Sequence, residues 1–298
     1  MPLTPSHIAA VIPLKGRSVL PFAALAAGSM SPDLWYYLPG EWVPQPSTHT
    51  PWGILVWDLL FGVVMWVAWR AASGPLYDIA PEPVRRRWRL PSESFGAWRF
   101  VPLAVLIGAV THVLWDEFTH AGRFGESHVA ALAAGYATPW GPTAGFQLLQ
   151  YLSGVVGLVI VVWVGLRVPQ RTTQVRRHPR LAALTPFAVM LGGLASVGIR
   201  MTTLDESASR HSWAFFASTA FISGAVAVLG AVCLGYACLD RAHSVRWSGS
   251  SLRMHSGREG GHPTQLQAKG ADLPMPTQIV APGGSAADNG VNRWPEHD

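Results

Sequence analysis

Charge is the scarcest property of this chain. Asp, Glu, Lys and Arg together make up 13% of its 298 residues, against roughly 25% in an ordinary soluble domain. So little charge excludes a disordered chain, a coiled coil or a nucleic-acid-binding domain as the main body. Cysteine is also scarce. Cys233 and Cys238 are the only two, and both fall in one apolar run. No disulfide is expected from that placement. There is no long internal repeat. What abounds is apolar surface: 49% of the residues are hydrophobic, and they gather into runs of about 20, the length that crosses a bilayer core of about 30 Å as a helix.

Six segments read as membrane helices: 19–38, 51–69, 100–118, 147–166, 181–199 and 213–239. The expected fold is therefore all-α, a polytopic membrane helix bundle of about six transmembrane helices. The first segment is the least regular, because Pro32 interrupts it. Loop charge orients the set. If residue 1 is cytoplasmic, all but three of the 22 Lys and Arg lie on the inner side; Arg123, Arg200 and Arg210 are the exceptions. This is the positive-inside pattern. It implies a multi-pass protein of the cell membrane, the inner membrane of a bacterium, with both termini cytoplasmic. Trp35, Trp42, Trp52, Trp69, Trp98, Trp140 and Trp213 fall near span ends, as an interfacial belt would. A second reading takes Lys15 and Arg17 as the basic region of a signal peptide ending near Ala24-Leu25-Ala26. Residues 1–243 form the membrane-embedded domain in this scheme. Residues 244–298, rich in Gly, Pro and Ser without apolar period, are expected to be a disordered cytoplasmic tail. Gly192 and Ser196 form a small-xxx-small pair suited to helix packing.

Ionisable side chains inside such spans are costly and need a cavity, a partner or a metal. Asp33, Asp58, His112 and Asp116 are the deep ones here, with Glu117 at the end of its span. Counting 1.5 Å per residue puts them in one layer roughly 6–12 Å below the outer face. His49 and His120 sit at its mouth. His112, Asp116 and His120 recur at i, i+4 and i+8, along one helix face. An imidazole and a carboxylate at that spacing can share a divalent metal, and nitrogen and oxygen donors suit zinc, manganese or iron. The same pair can also be a His–Asp hydrogen bond that locks two helices together. Asp58 reads either as a carboxylate that orients a histidine or as a packing residue. Glu117 reads as interfacial, and Glu41, Glu126 and His128 as solvated loop residues. His7 begins a short apolar helix over residues 7–14 with Ser6 as its cap, and by composition is a surface histidine. Arg85, Arg86, Arg87 and Arg89 read as anchors for anionic lipid headgroups.

At these residues the sequence resembles a known family. Met1-Pro-Leu-Thr-Pro-Ser-His7, Leu20-Pro-Phe-Ala-Ala-Leu and Gly28-Ser-Met-Ser-Pro-Asp33 are similar to the opening of the bacterial domain-of-unknown-function family 4184. His49 before an apolar span, Thr111-His112-Val-Leu-Trp-Asp116, Phe118-Thr119-His120-Ala-Gly122 and Gln150-Tyr-Leu-Ser153-Gly extend the likeness over about residues 1–240. The resemblance implies a multi-pass membrane protein and no particular chemistry. The order His, Pro-Asp, His, His-x-x-x-Asp is more distantly similar to membrane-bound metal-dependent hydrolases and to bacterial zinc-dependent phospholipase C. That likeness implies His7, Asp33, His49, His112 and Asp116 as zinc ligands. The phospholipase pattern also has a later His-x-x-x-Glu. Here His128, His178 and His211 are followed four residues on by Leu132, Ala182 and Phe215, so one or two metals are expected rather than three.

Three functions follow as expectations. One is a metal-dependent hydrolase acting on a phosphoester or lipid-like substrate at the outer membrane face, with Asp58 or Asp116 taking the proton. Its metal ligands would come from His7, Asp33, His49, His112, Asp116 and His120, with zinc as the cofactor. Another is a non-enzymatic structural or assembly protein whose polar residues fix helix packing. The third is an ion-coupled transporter; the absence of ionisable groups from the last three spans speaks against it. Membrane lipids are the expected partners, and nucleic acid is not.

Overall fold

The computed structural model describes residues 3–17, 19–38, 47–88, 90, 95–139, 141–204 and 210–256. The expectations for Glu41, Trp42, Arg89, Trp140 and residues 257–298 lie outside them. The fold is an all-α bundle. Among the described residues, five helices are long and apolar enough to cross a membrane: α3 (Pro51–Ile79), α4 (Ala97–Thr119), α5 (Gly145–Leu166), α6 (Pro179–Met201) and the Ser212–Arg241 part of α7, which runs from Arg210 to Ser256. The boundary expected at residues 243/244 thus falls inside α7. The one break in the all-helical pattern among the described residues is an antiparallel hairpin of β1 (Gly135–Thr138) and β2 (Gly141–Ala144), just before α5.

The first expected span, 19–38, is not a crossing helix. It is the second arm of a broken hairpin. The first arm, α1, consists of the pieces Thr4–His7, Ile8–Val11 and Ile12–Leu14. A turn at Lys15–Arg17 follows, with Gly16 at φ 73°, a backbone conformation that suits glycine. The chain returns as α2 (Phe22–Gly28) and a 3-10 turn, Ser31–Tyr37. Pro13, Pro21 and Pro32 each sit at the start of a new piece or just before it, where a missing N–H costs least and a continuous helix is prevented. Composition alone therefore overestimates this segment: its apolar length suffices, but its prolines cut it. Helix α1 begins at Thr4, so Ser6 lies within it and does not cap it.

The hairpin is the best-buried part of the molecule. Val11, Ala24 and Leu25 have no exposed surface, and they pack with Trp66 of α3 and Val101, Ala104 and Val105 of α4. Two glycines allow the close approach. A Cβ on Gly28 would lie 2.1 Å from the Val105 carbonyl oxygen, and one on Gly108 would lie 2.2 Å from that of Leu25. Helices α2 and α4 thus cross backbone to backbone, the geometry that small residues permit in membrane bundles. On its other side α1 rests on α5, where a Cβ on Gly157 would lie 2.8 Å from the Ser6 carbonyl oxygen. The expected Gly192/Ser196 pair packs against Gly224 of α7 in the same manner.

At the opposite end a polar clasp closes the bundle. Asp78, at the end of α3, accepts from the Tyr236 hydroxyl at 2.6 Å and from the backbone N–H groups of Arg177 at 3.0 Å and His178 at 3.2 Å. Asp240 of α7 holds the Arg177 and His178 side chains. The arginines read as lipid anchors belong partly to this clasp. Arg85 is buried, bonds the Gln174 carbonyl at 2.6 Å and pairs with Glu82 at 3.2 Å. Arg87 bonds the Leu166 carbonyl at 3.1 Å, whereas the Arg86 side chain is half exposed. Loop residues 167–178 have no regular structure, so their backbone groups need such partners. Arginine supplies several donors on one planar fork, which is why these side chains turn inward.

The glycine crossing generates a direct test. Gly108→Ala should lower stability by about 1–3 kcal/mol, the usual cost of overpacking a filled contact. Gly198→Ala is also within a helix, in the last turn of α6, but a Cβ added there would meet nothing within 4 Å. It should be neutral or slightly stabilising, because alanine is the better helix former. Thermal unfolding in detergent reads both, and equal effects would mean that the crossing is not tight.

Candidate metal centre

The hairpin, α3 and α4 bring their polar residues together at one end of the bundle. His112 and Asp116 lie one turn apart on α4, on its buried face. The 3-10 turn carries Asp33 over them. His49 lies just before α3, whose start is set by Pro51 at its first position and by Thr50, whose hydroxyl accepts from the Gly53 N–H at 3.0 Å. One ligand atom each from Asp33, His49, His112 and Asp116 lies within 4.8 Å of all the others. This is a buried group of two imidazoles and two carboxylates that could hold a metal ion.

The hydrogen bonds around the group constrain its protons. His112 Nδ1 lies 2.8 Å from the Ser29 carbonyl oxygen. A carbonyl only accepts, so Nδ1 carries the proton. His112 Nε2 then faces Asp33 Oδ1 at 3.5 Å and Asp116 Oδ2 at 3.3 Å, fully buried and with no hydrogen bond of proper geometry among the described residues. A bare nitrogen lone pair against two carboxylates is repulsive. Either a cation sits among them, or Nε2 holds a second proton and His112 is an imidazolium. His49 differs. Its Nε2 is hydrogen-bonded to Asp116 Oδ2 at 3.1 Å and lies 3.8 Å from Asp33 Oδ1; the carboxylate accepts, so this nitrogen donates, and its Nδ1 shares a hydrogen bond with the Thr48 hydroxyl at 3.0 Å. Thr4 donates to Asp33 Oδ2 at 2.6 Å and so aims the other oxygen inward.

His7 and His120 stand on the other side of Asp116. The His7 ring stacks on that of His112 with centroids 3.8 Å apart, and its Nε2 lies 3.8 Å from Asp116 Oδ1. His120 Nδ1 lies 3.4 Å from the same oxygen. His7 Nδ1 is buried and makes no hydrogen bond among the described residues. Burial lowers the pKa of His120. Both histidines, with Asp33 and Asp116, line a cleft of about 300 Å³ whose far wall is Gln147, Gln150 and Ser153 of α5. Gln150 Nε2 lies 2.7 Å from His120 Nε2.

His7 is the residue hardest to place from composition. It is not on the surface; it lies in the layer of Asp33 and His49, because α1 runs away from that layer and α2 returns to it. Asp58 behaves differently from either expectation. It ends a π-helical turn, Ile54–Asp58, is fully buried, and makes no hydrogen bond among the described residues. It does not orient a histidine and does not line the cleft, although His112 and Asp33 are its charged neighbours. The histidines are oriented instead by the Ser29 carbonyl and by Thr48. Neither stands out in the sequence, since a backbone carbonyl leaves no trace in residue type and a loop threonine is common. Gln150 and Ser153 do carry a signal, in the motif Gln150-Tyr-Leu-Ser153-Gly. Glu117 is not simply interfacial: it pairs with Arg123 at 3.1 Å and accepts from the Phe124 N–H at 3.1 Å. Glu126 accepts from the Gly122 N–H, and exposed His128 stacks on Phe124.

No curated protein and no solved structure matches this chain. A family model does, over residues 1–238, and that range holds the hairpin, the described membrane-length helices almost to the end of the last one, and every residue of the site. The chain belongs to the family described as Domain of unknown function (DUF4184).

Proposed function

We propose that this protein is a metal-dependent hydrolase of the cell membrane, acting on a phosphoester or lipid-like substrate near the outer face. The observation that carries the proposal is His112 Nε2, buried between Asp33 and Asp116 with its other nitrogen committed to a carbonyl. Asp33, His49, His112 and Asp116 would hold the ion, with His7 and His120 completing its open side or holding a second one. Such a donor set suits zinc first, then manganese or iron. A bound ion would polarise the substrate oxygen and acidify a water. The chain's own residues would do the rest. Asp116 Oδ1 faces the cleft and can accept a proton. His120 and Gln150 can hydrogen-bond the substrate's oxygens.

The rival reading makes the cluster a packing network with His112 as an imidazolium. Elemental analysis separates the two. Purified protein should contain stoichiometric zinc, manganese or iron, and His112→Ala and Asp116→Ala should lose it while remaining folded in the membrane. Thr4→Val, which removes the hydroxyl from Asp33, should weaken affinity by roughly 10–100-fold. Wild-type protein without metal, together with a lowered melting temperature for His112→Ala, would leave the packing network as the answer.

The hairpin also revises the proposed topology. With five crossings after residue 50 and the end of α7 cytoplasmic, residues 3–7 belong to the outer side, in the layer of the site. Lys15 and Arg17 stay at the inner turn of the hairpin, so the charge bias is unchanged. Leu3 is 37% exposed and Val175 is 93% exposed. In a background lacking Cys233 and Cys238, a membrane-impermeant maleimide should label Leu3→Cys in intact spheroplasts. Val175→Cys should react only after permeabilisation. Protection of both positions in intact spheroplasts would return both ends to the cytoplasm.

A further inference from the structure

The cleft beside the metal centre does not end at its polar wall. A second cavity of about 430 Å³ lies between α4 and α5, lined by Thr111, Leu114, Phe118 and Leu149 and bounded by residues of the first. Three residues belong to both spaces: Trp115, Thr119 and Ser153. Trp115 is the partition. Its indole N–H donates to Ser153 Oγ at 3.2 Å, which ties α4 to α5, and its ring edge meets His7 at 6.2 Å between centroids. The two sides differ in chemistry. On one stand His7, Asp116, His120 and Gln150; on the other, aliphatic and aromatic side chains of two membrane-length helices, with Leu114 59% and Phe118 42% exposed.

We infer that the substrate is a single-chain membrane amphiphile that enters sideways from the bilayer between α4 and α5, its acyl chain along Leu114, Phe118 and Leu149 and its head group past Trp115 to the metal centre. This rests on the hydrolase reading and names its substrate class. The apolar groove alone would be an ordinary lipid-facing surface. Its continuity with a buried polar cleft is what selects a molecule with an apolar chain and an oxygen-rich head. The head meets Gln147, Gln150 and Ser153 as hydrogen-bonding groups. No Lys or Arg among the described residues lines the cleft, so an anionic head would be neutralised by the bound cation. The Trp115–Ser153 hydrogen bond is the contact that a passing head group must displace.

The test uses full-length protein in lipid nanodiscs and a lysophosphatidate probe with a diazirine in its acyl chain. Peptide mapping after photolysis should find label on residues 111–118 and 149–153 that is chased by excess unlabelled lysophosphatidate. Label on exposed Leu191 and Ile199 of α6 should not be chased. Leu149→Trp, which fills the groove, should abolish the chaseable label alone. Label at the groove that cannot be chased, or that is no stronger than on α6, overturns the inference even if Leu149→Trp fails to fold, since the wild type decides it. Metal content is measured on the same samples. Metal present with unchaseable label removes the groove and leaves the metal site standing. Chaseable label without metal supports the lipid groove and removes the hydrolase reading.

Discussion

The structure depends on one contact, the crossing of α2 and α4 at Gly28 and Gly108. Side chains on either glycine would intrude on the facing backbone, so the two helices touch along their main chains. That contact brings the Ser29 carbonyl to His112 and sets the 3-10 turn, with Asp33, above Asp116. It also seats α1 between α4 and α5, which delivers His7 to the ring face of His112. The approach of Asp33 and His7 to His112 and Asp116 is therefore downstream of two missing Cβ atoms.

The bundle separates its polar chemistry by end. The Asp78 carboxylate is well partnered: two backbone N–H groups and the Tyr236 hydroxyl reach it, and the surrounding arginines bond loop carbonyls, with Arg85 Nε left without a hydrogen bond among the described residues. Such a carboxylate is matched to its donors and does structural work. The cluster at the other end is not matched. His112 Nε2, His7 Nδ1 and both oxygens of Asp58 are buried without hydrogen bonds among the described residues, and carboxylates face imidazole nitrogens across more than 3 Å. Buried polar atoms left over in this way carry a large desolvation cost. A cation among Asp33, His49, His112 and Asp116 would fill the gap at His112 Nε2, which is why this end, rather than the clasp, is the candidate for chemistry.

The π-helical turn at Ile54–Asp58 fits the same division. A wider turn interrupts the regular ladder of α3 where that helix passes the cluster, a feature often found at functional sites, and it ends at the unpartnered Asp58. The opposite end of α3 carries no such irregularity and ends in Asp78, whose every role is accounted for. Asp78 and Tyr236 are invisible as a pair before the fold, since 158 positions separate them.

The sequence by itself determined the helical class, the apolar lengths of α3 to α7 and the helix-face spacing of His112, Asp116 and His120. These are local properties: hydropathy over about 20 residues and a 3.6-residue period need no knowledge of the fold. It also marked Asp33, because charge in an apolar run is conspicuous wherever it lies, and His49, because it stands just before an apolar span. Residues 19–38 read wrongly as a span, because apolar length outweighed the prolines that cut it. Tertiary structure alone decided that residues 4–37 form a hairpin, that His7 meets the other candidates while Asp58 stays behind them, and that Arg85 turns into the protein. Those outcomes depend on which backbone can approach which, at Gly28, Gly108 and Gly157, and a glycine in a sequence does not say what stands opposite it.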